Sequence, residues 1–370
     1  MEPRQAAEAF SQWAMFEGLM GFTGSLPAPL APAVAAQIDP VTDAGKNALR
    51  TRHVVTVGFS DGDHAIDVFT RRALPVSRKL RALLPNRIDD VMIRYRQGHQ
   101  TPVGGVEPAA PFAGPSYTIR HSQVHGRDVF ACGSSISVGN ARDAGTLGCL
   151  VRDAAGEIYG LSNNHVSASC SHAPIGLPIV APGIFDVLPN SLNPFTLGLH
   201  ARALPMVPGT VDNIQAMDNR DAALFKIIDA DVVTSWQGTA YDTPATWQMP
   251  VGGMNVEKVG RTTGHTRGVV VSQLNGAFPV AYSAPLYNFT GSVYFDPVFA
   301  VVGLGELFSD SGDSGSLVTT VDVAGNRHAV GIVIAGLNDA SAPGGKLTLI
   351  LPIGPTLDAL GAQLVSGLNA

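Results

Sequence analysis

From about Tyr117 to Pro352 the sequence is a succession of short apolar runs cut by glycine and proline. Runs of that length bounded by turn formers suit strands better than helices, so the pattern predicts a mainly β fold. With 41 glycines and 26 prolines among 370 residues there are turns enough for many strands, and a 45% hydrophobic content can fill more than one core. The formal charge of -6 and the pI near 5.9 argue against nucleic acid as a partner, because a phosphate-binding surface needs a basic excess. Local basic pairs such as Arg71-Arg72 and Arg78-Lys79 read as solvated faces. No run reaches the roughly 18 apolar residues of a membrane span, so no membrane partner is expected.

Ahead of the β region the text is different. Residues 1–50 hold a helix over Gln5–Met20, a Pro/Ala-rich linker over Leu26–Pro40 and a short helix over Thr42–Arg50. Residues 51–100 read as a small α/β appendage with strands at His53–Phe59, Ala65–Thr70 and Ile88–Tyr95 and a helix at Val76–Leu84. This unit carries no acid–base or metal cluster, and His53 and His64 lack metal-ligand spacing, so it is expected to serve structure or self-association as a homo-oligomer. Residues 101–116 are a Pro/Gly-rich connector. Leu177–Pro208 reads as a long loop able to frame a cleft.

Chemistry concentrates in Ser311-Gly312-Asp313-Ser314-Gly315-Ser316. A serine hydroxyl attacks only when a base takes its proton and a donor pair receives the charge driven onto the substrate oxygen. Glycines on both sides of the Asp313-Ser314 pair clear the approach to Ser314 and leave the N–H groups of Gly312 and Ser314 able to converge on one oxygen. The same residues are also common turn formers, so the reading needs partners elsewhere. His165, in Leu161-Ser162-Asn163-Asn164-His165-Val166, follows a strand and can face a cleft as base. Asp221 stands directly before Ala222-Ala223-Leu224-Phe225, where burial demands a hydrogen-bond partner such as an imidazole N–H. Asp212 and Asp218 lie close by, and the apolar run after Asp221 favours that residue.

The order His165, Asp221, Ser314 resembles that of the trypsin-like, chymotrypsin-fold serine peptidases. Gly260-Arg261-Thr262-Thr263-Gly264, Gly331-Ile332-Val333-Ile334-Ala335-Gly336 and Gly145-Thr146-Leu147-Gly148 resemble further stretches of the bacterial members and of the plant narrow-leaf type proteins. The resemblance covers residues 130–360. It implies two six-stranded β-barrels, the first over 117–240 carrying His165 and Asp221, the second over 241–370 carrying Ser314 and ending in a helix near Thr356–Val365. It implies an endopeptidase acting on protein or peptide substrates by acyl transfer, with an oxyanion hole at Gly312 and Ser314 and no cofactor or metal. It also implies a specificity pocket with Phe308 as its floor and Ile334, Ala335 and Gly336 as a wall. A floor without an acid favours cleavage after small or medium apolar residues, with Asp310 able to change that if the loop register differs. Asp313 needs a cation if buried, and the resemblance implies Arg261 as its source, with the intact chain active as synthesised.

Cys132, Cys149 and Cys170 are odd in number and form no Cys-x-x-Cys pair, which favours free thiols. Secreted relatives bridge a cysteine before the histidine to one directly after it, but Val166 occupies the second place here, although Cys170 could reach Cys149. The acidic residues Glu8 and Glu17 interrupt any secretory leader, so cytoplasmic residence is expected. Two other readings stay open: a protease-derived binding or assembly module with little hydrolysis, and an esterase using the same machinery.

Overall fold

The computed structural model describes residues 1–21, 30, 32–38, 42–74, 79, 82–100, 102–105, 107–112, 114–210 and 212–370. In the C-terminal half, six antiparallel strands close on themselves. Asn255–Gly260 pairs with Leu317–Val321, then follow Arg327–Asn338, Lys346–Pro352, Phe299–Gly303 and Gly264–Leu274, which returns to Asn255–Gly260. Closure removes free edges, as small barrels require. In the first half, the strands Cys149–Arg152, Ile158–Ser162, Ala223–Ile227, Phe195–Ala203, Pro178–Ala181 and Ser135–Val138 pair in that order as a partly open barrel. The mainly β, two-barrel expectation is met.

A shared apolar cluster fills the seam between the two halves: Cys149, Leu161 and Leu224 from one side meet Leu317, Ile332 and Leu349 from the other. Each fully buried aliphatic side chain of this kind contributes about 1.5–3 kcal/mol. Functional loops from both halves therefore emerge over a rigid seam.

Three local expectations change. Leu177–Pro208 is not one long loop, because Pro178–Ala181 and Phe195–Ala203 pair with each other inside the first sheet. The prolines there sit at strand starts and turns, where a missing N–H is tolerated. The linker Leu26–Pro40 contains a helix at Pro32–Ile38, started by a proline at its first position and continued by alanines. The C-terminal helix spans Ile353–Leu360, stopped by Gly361 in the left-handed region (φ 58), and Gln363–Leu364 then joins Cys149–Arg152 as an edge strand. Most of the helix expected at Val76–Leu84 lies outside the described residues.

At the N-terminus, Pro3–Phe16 is a helix whose Ala6, Phe10, Trp13 and Ala14 pack on Val57 and Ile66. The strands Val54–Ser60, Ala65–Thr70 and Val91–Gln97 form the sheet beneath it, with the last two parallel. That sheet continues into the closed barrel through Gly58 opposite Leu274 and Phe59 opposite Gln273.

Candidate active site

Ile158–Ser162 and Ala223–Ile227 are antiparallel neighbours with Ser162 opposite Ala223. This register brings together two residues 56 apart: His165, in the turn Asn164–Ser167, and Asp221, just before its strand. His165 Nδ1 lies 2.6 Å from Asp221 Oδ2, and the His165 backbone N–H donates to Oδ1 at 3.0 Å. Asp221 is fully buried, so its charge is held by hydrogen bonds. The carboxylate can only accept, which places the imidazole proton on Nδ1 and leaves Nε2 as the basic nitrogen. Asn163 Nδ2 donates to the Asp221 carbonyl at 2.7 Å and fixes the backbone there.

The Ser311–Ser316 turn connects the barrel wall to Leu317–Val321. The N–H groups of Ser311, Asp313, Gly315 and Ser316 are all bonded within the protein. Among the described residues, those of Gly312 and Ser314 donate to no protein acceptor. Gly312 takes φ 98, and a Cβ there would lie 2.6 Å from Thr262 Oγ1, so only glycine fits. Thr146 anchors the turn from the other half: its N–H donates to the Ser314 carbonyl at 2.9 Å and its hydroxyl to the Gly312 carbonyl at 2.9 Å. Ser314 and His165 line the same cleft. No hydrogen bond joins their side chains among the described residues, and such contacts commonly close only with substrate bound.

The support for Asp313 differs from expectation. Arg261 does not reach it: the Arg261 guanidinium pairs with Asp186, with Nε 2.7 Å from Oδ2, and also donates to the Ala109 carbonyl. The cation at Asp313 is Lys258, whose Nζ lies 3.4 Å from Oδ2 with both side chains fully buried. In Asn255–Gly260, Lys258 and Gly260 face the Asp313 carboxylate, where a Cβ on Gly260 would lie 2.4 Å from Oδ1. Arg261, just past the strand end, lies against Gly312 of the same turn, its Nη1 2.8 Å from where a Cβ there would stand, and its guanidinium is taken by Asp186. Asp313 also accepts from the N–H groups of Thr262 (2.7 Å), Thr263 (3.2 Å) and Asp310 (2.9 Å) and from Thr263 Oγ1 (2.7 Å). Burial pushes the Lys258 ammonium below its ordinary value, against the pull of Asp313.

Phe308 is not a pocket floor. Its side chain is buried in the second-barrel core with Val256, Val270 and Val330, and Ser309 faces the cleft instead. Ile334, Ala335 and Gly336 do line the cleft, together with Asp310 and Lys346, which form an ion pair. Asp143 stands on the opposite wall, and burial raises its carboxyl above the usual range.

Two contributors escaped sequence reasoning. Tyr282 lies on the hairpin of Phe278–Ala284 and Phe289–Phe295 and donates its hydroxyl to Asp221 Oδ2 at 2.9 Å. Its ring packs against His165 at 5.5 Å between centroids, and burial pushes the hydroxyl well above its ordinary value, so it remains a donor throughout the neutral range. The buried positions Phe278, Val280, Tyr282 and Ala284 alternate along the strand, a period-two signal that marks Tyr282 as inward. Lys258 was visible in the same way, between the inward Val256 and Gly260.

No family model matches the chain. It is 28% identical over 244 residues to Protein NARROW LEAF 1 of Oryza sativa subsp. japonica, a match covering 60% of this chain and 38% of that protein. The chain thus spans about two fifths of the length of that relative. Similar solved structures are chymotrypsin-fold serine proteases. Thermobifida fusca Protease A is 22% identical with a TM-score of 0.42, covering 64% of this chain and 100% of that one. Nocardiopsis protease is 18% identical with a TM-score of 0.40, covering 63% and 97%. The chymotrypsin of Cellulomonas bogoriensis is 17% identical with a TM-score of 0.39, covering 64% and 98%.

Proposed function

We propose that the chain is a serine endopeptidase working through an acyl-enzyme. The observation that carries the reading is the buried His165–Asp221 pair beside a turn whose Gly312 and Ser314 N–H groups are unspent. In this mechanism Ser314 Oγ attacks the scissile carbonyl carbon while its proton passes to His165 Nε2. The carbonyl oxygen, now negative, is received by the two N–H groups, each worth about 10²–10³ in rate. Protonated His165, stabilised by Asp221, then gives the proton to the leaving amine, and water reverses the sequence to free the acid. No cofactor enters these steps.

The side chain before the scissile bond would lie against Val333–Gly336. Asp310 is neutralised by Lys346, so the wall formed by Ile334–Gly336 offers no lone charge to lysine, arginine or glutamate, and small or medium apolar residues are favoured. A fluorophosphonate reagent tests the reading: the wild-type chain should be labelled and Ser314→Ala should not. Equal absence of label in both would favour a binding module instead. A peptide library with strong selection for a charged residue would refute the specificity.

A further inference from the structure

The connector that leads into the first barrel crosses the cleft. His99–Gln100 pairs antiparallel with the strand Arg327–Asn338, Gln100 opposite Leu337 and His99 opposite Asn338. That strand's other neighbour on the same side, Leu317–Val321, ends its pairing at Ile332, and Val333 is bonded to the nucleophile turn. Among the described residues, the unpaired stretch of edge is therefore Ile334–Gly336, beside Ser314. Such an edge is where an extended peptide adds as a strand, with its main chain directed at the nucleophile. Pro102, Val103 and Gly104 lie over it, lining one cavity with Ser314 and His165. The cavity there is small, about 90 Å³.

The crossing segment is fastened on both banks. Val103 N–H donates to the Ala281 carbonyl at 2.7 Å and its carbonyl accepts from Ser283 N–H at 2.8 Å, which keeps that carbonyl away from the free Gly312 and Ser314 N–H groups. Gly104, at φ 77, packs so closely that a Cβ would lie 2.3 Å from the Ser283 carbonyl oxygen. Farther on, Ala109 N–H donates to Ser311 at 3.2 Å, Phe112 N–H to Thr262 at 3.2 Å, and Arg261 donates to the Ala109 carbonyl. A larger cavity of about 690 Å³ remains on the far side of His165.

We propose that residues 99–100, 102–105 and 107–112 act as a built-in strap that occupies the peptide-binding edge of the site, so the intact chain is self-inhibited until the strap is displaced. This rests on the peptidase reading above and reverses the expectation that the intact chain is active as synthesised. Being tethered, the strap acts at an effective concentration on the order of mM, high enough to compete with substrates of ordinary KM. It is not itself cut, because the Val103 carbonyl is bonded to the hairpin rather than presented to Ser314.

The test compares the full-length chain with Gly104→Val, which the positive φ and the Ser283 contact cannot accommodate, and with Val103→Pro, which removes the donor to Ala281. Two assays are run: hydrolysis of long peptides, and labelling of Ser314 by a small fluorophosphonate that does not need the strand edge. Either folded variant should raise kcat/KM on long peptides by about ten-fold or more, chiefly through a lower KM, with labelling changed less than about two-fold. If Gly104→Val does not fold, Val103→Pro decides. Labelling with equal peptide hydrolysis in wild type and variants overturns the strap but leaves the peptidase reading intact. Absence of labelling in all three overturns both.

Discussion

Replacing Lys258 by methionine removes the buried cation at Asp313 while keeping a side chain of similar length. The pair is fully buried, and breaking such a pair usually costs about 3–5 kcal/mol because the remaining charge is stranded. Four other donors, from Thr262, Thr263 and Asp310, still reach the carboxylate, which argues for the lower end, about 3 kcal/mol. At 2–4 °C per kcal/mol this is a melting shift of roughly 6–12 °C. Asp313 lies between Gly312 and Ser314, so a displaced carboxylate misplaces an oxyanion donor and should slow fluorophosphonate labelling by about 10²–10³-fold. The double variant Lys258→Met/Asp313→Asn removes both charges and should regain most of the stability lost by the single variant. A Lys258→Met chain that melts within 1–2 °C of wild type and labels at the same rate would refute the assignment.

Tyr282→Phe keeps the ring but removes one donor from buried Asp221, and should cost about 1.5–3 kcal/mol of stability with a fall in kcat and little change in KM; unchanged calorimetry and kinetics would exclude Tyr282 from the site. His200 is buried with Nδ1 unpartnered among the described residues, and burial holds its imidazole below 6.5. The unfolded chain therefore takes up this proton first on acidification, and stability should fall below pH 6.5 by at most about 1.4 kcal/mol per pH unit, a slope that urea midpoints at two pH values should show reduced in His200→Leu. Phe308→Ala should destabilise by about 3–5 kcal/mol without altering the residue preferred before the cleaved bond, as read from product sequencing. The thiols of Cys132, Cys149 and Cys170 are free and buried, with Cys149 pushed up to about 12, so thiol reagents should titrate them only after denaturant is added.

The parts of the site that were legible in the sequence are those whose chemistry is local. Glycines flank Ser314 within one turn, His165 follows its own strand, and Asp221 begins its own, so each residue's setting is written beside it. What pairs across the fold was not legible. Arg261 and Lys258 are three residues apart and both reach the nucleophile turn, one at Gly312 and the other at Asp313, so which cation the carboxylate takes is decided by side-chain docking and not by sequence position. Phe308 was misread because a shift of one residue exchanges core for cleft. Tyr282 supports Asp221 from 61 positions away, a contact set by where the hairpin docks and by nothing in its own neighbourhood.

The continuity between Val54–Ser60 and the barrel strand Gly264–Leu274 has a consequence for how the molecule comes apart. Because Gly58 and Phe59 are hydrogen-bonded partners of Leu274 and Gln273, the N-terminal layer serves as an edge guard for the C-terminal barrel. Trimming the chain to its two barrels would bare that edge at Gln273 and Leu274, giving a sticky strand that invites chain-to-chain pairing. A truncated preparation that precipitates would then report an uncovered seam and not a damaged active site.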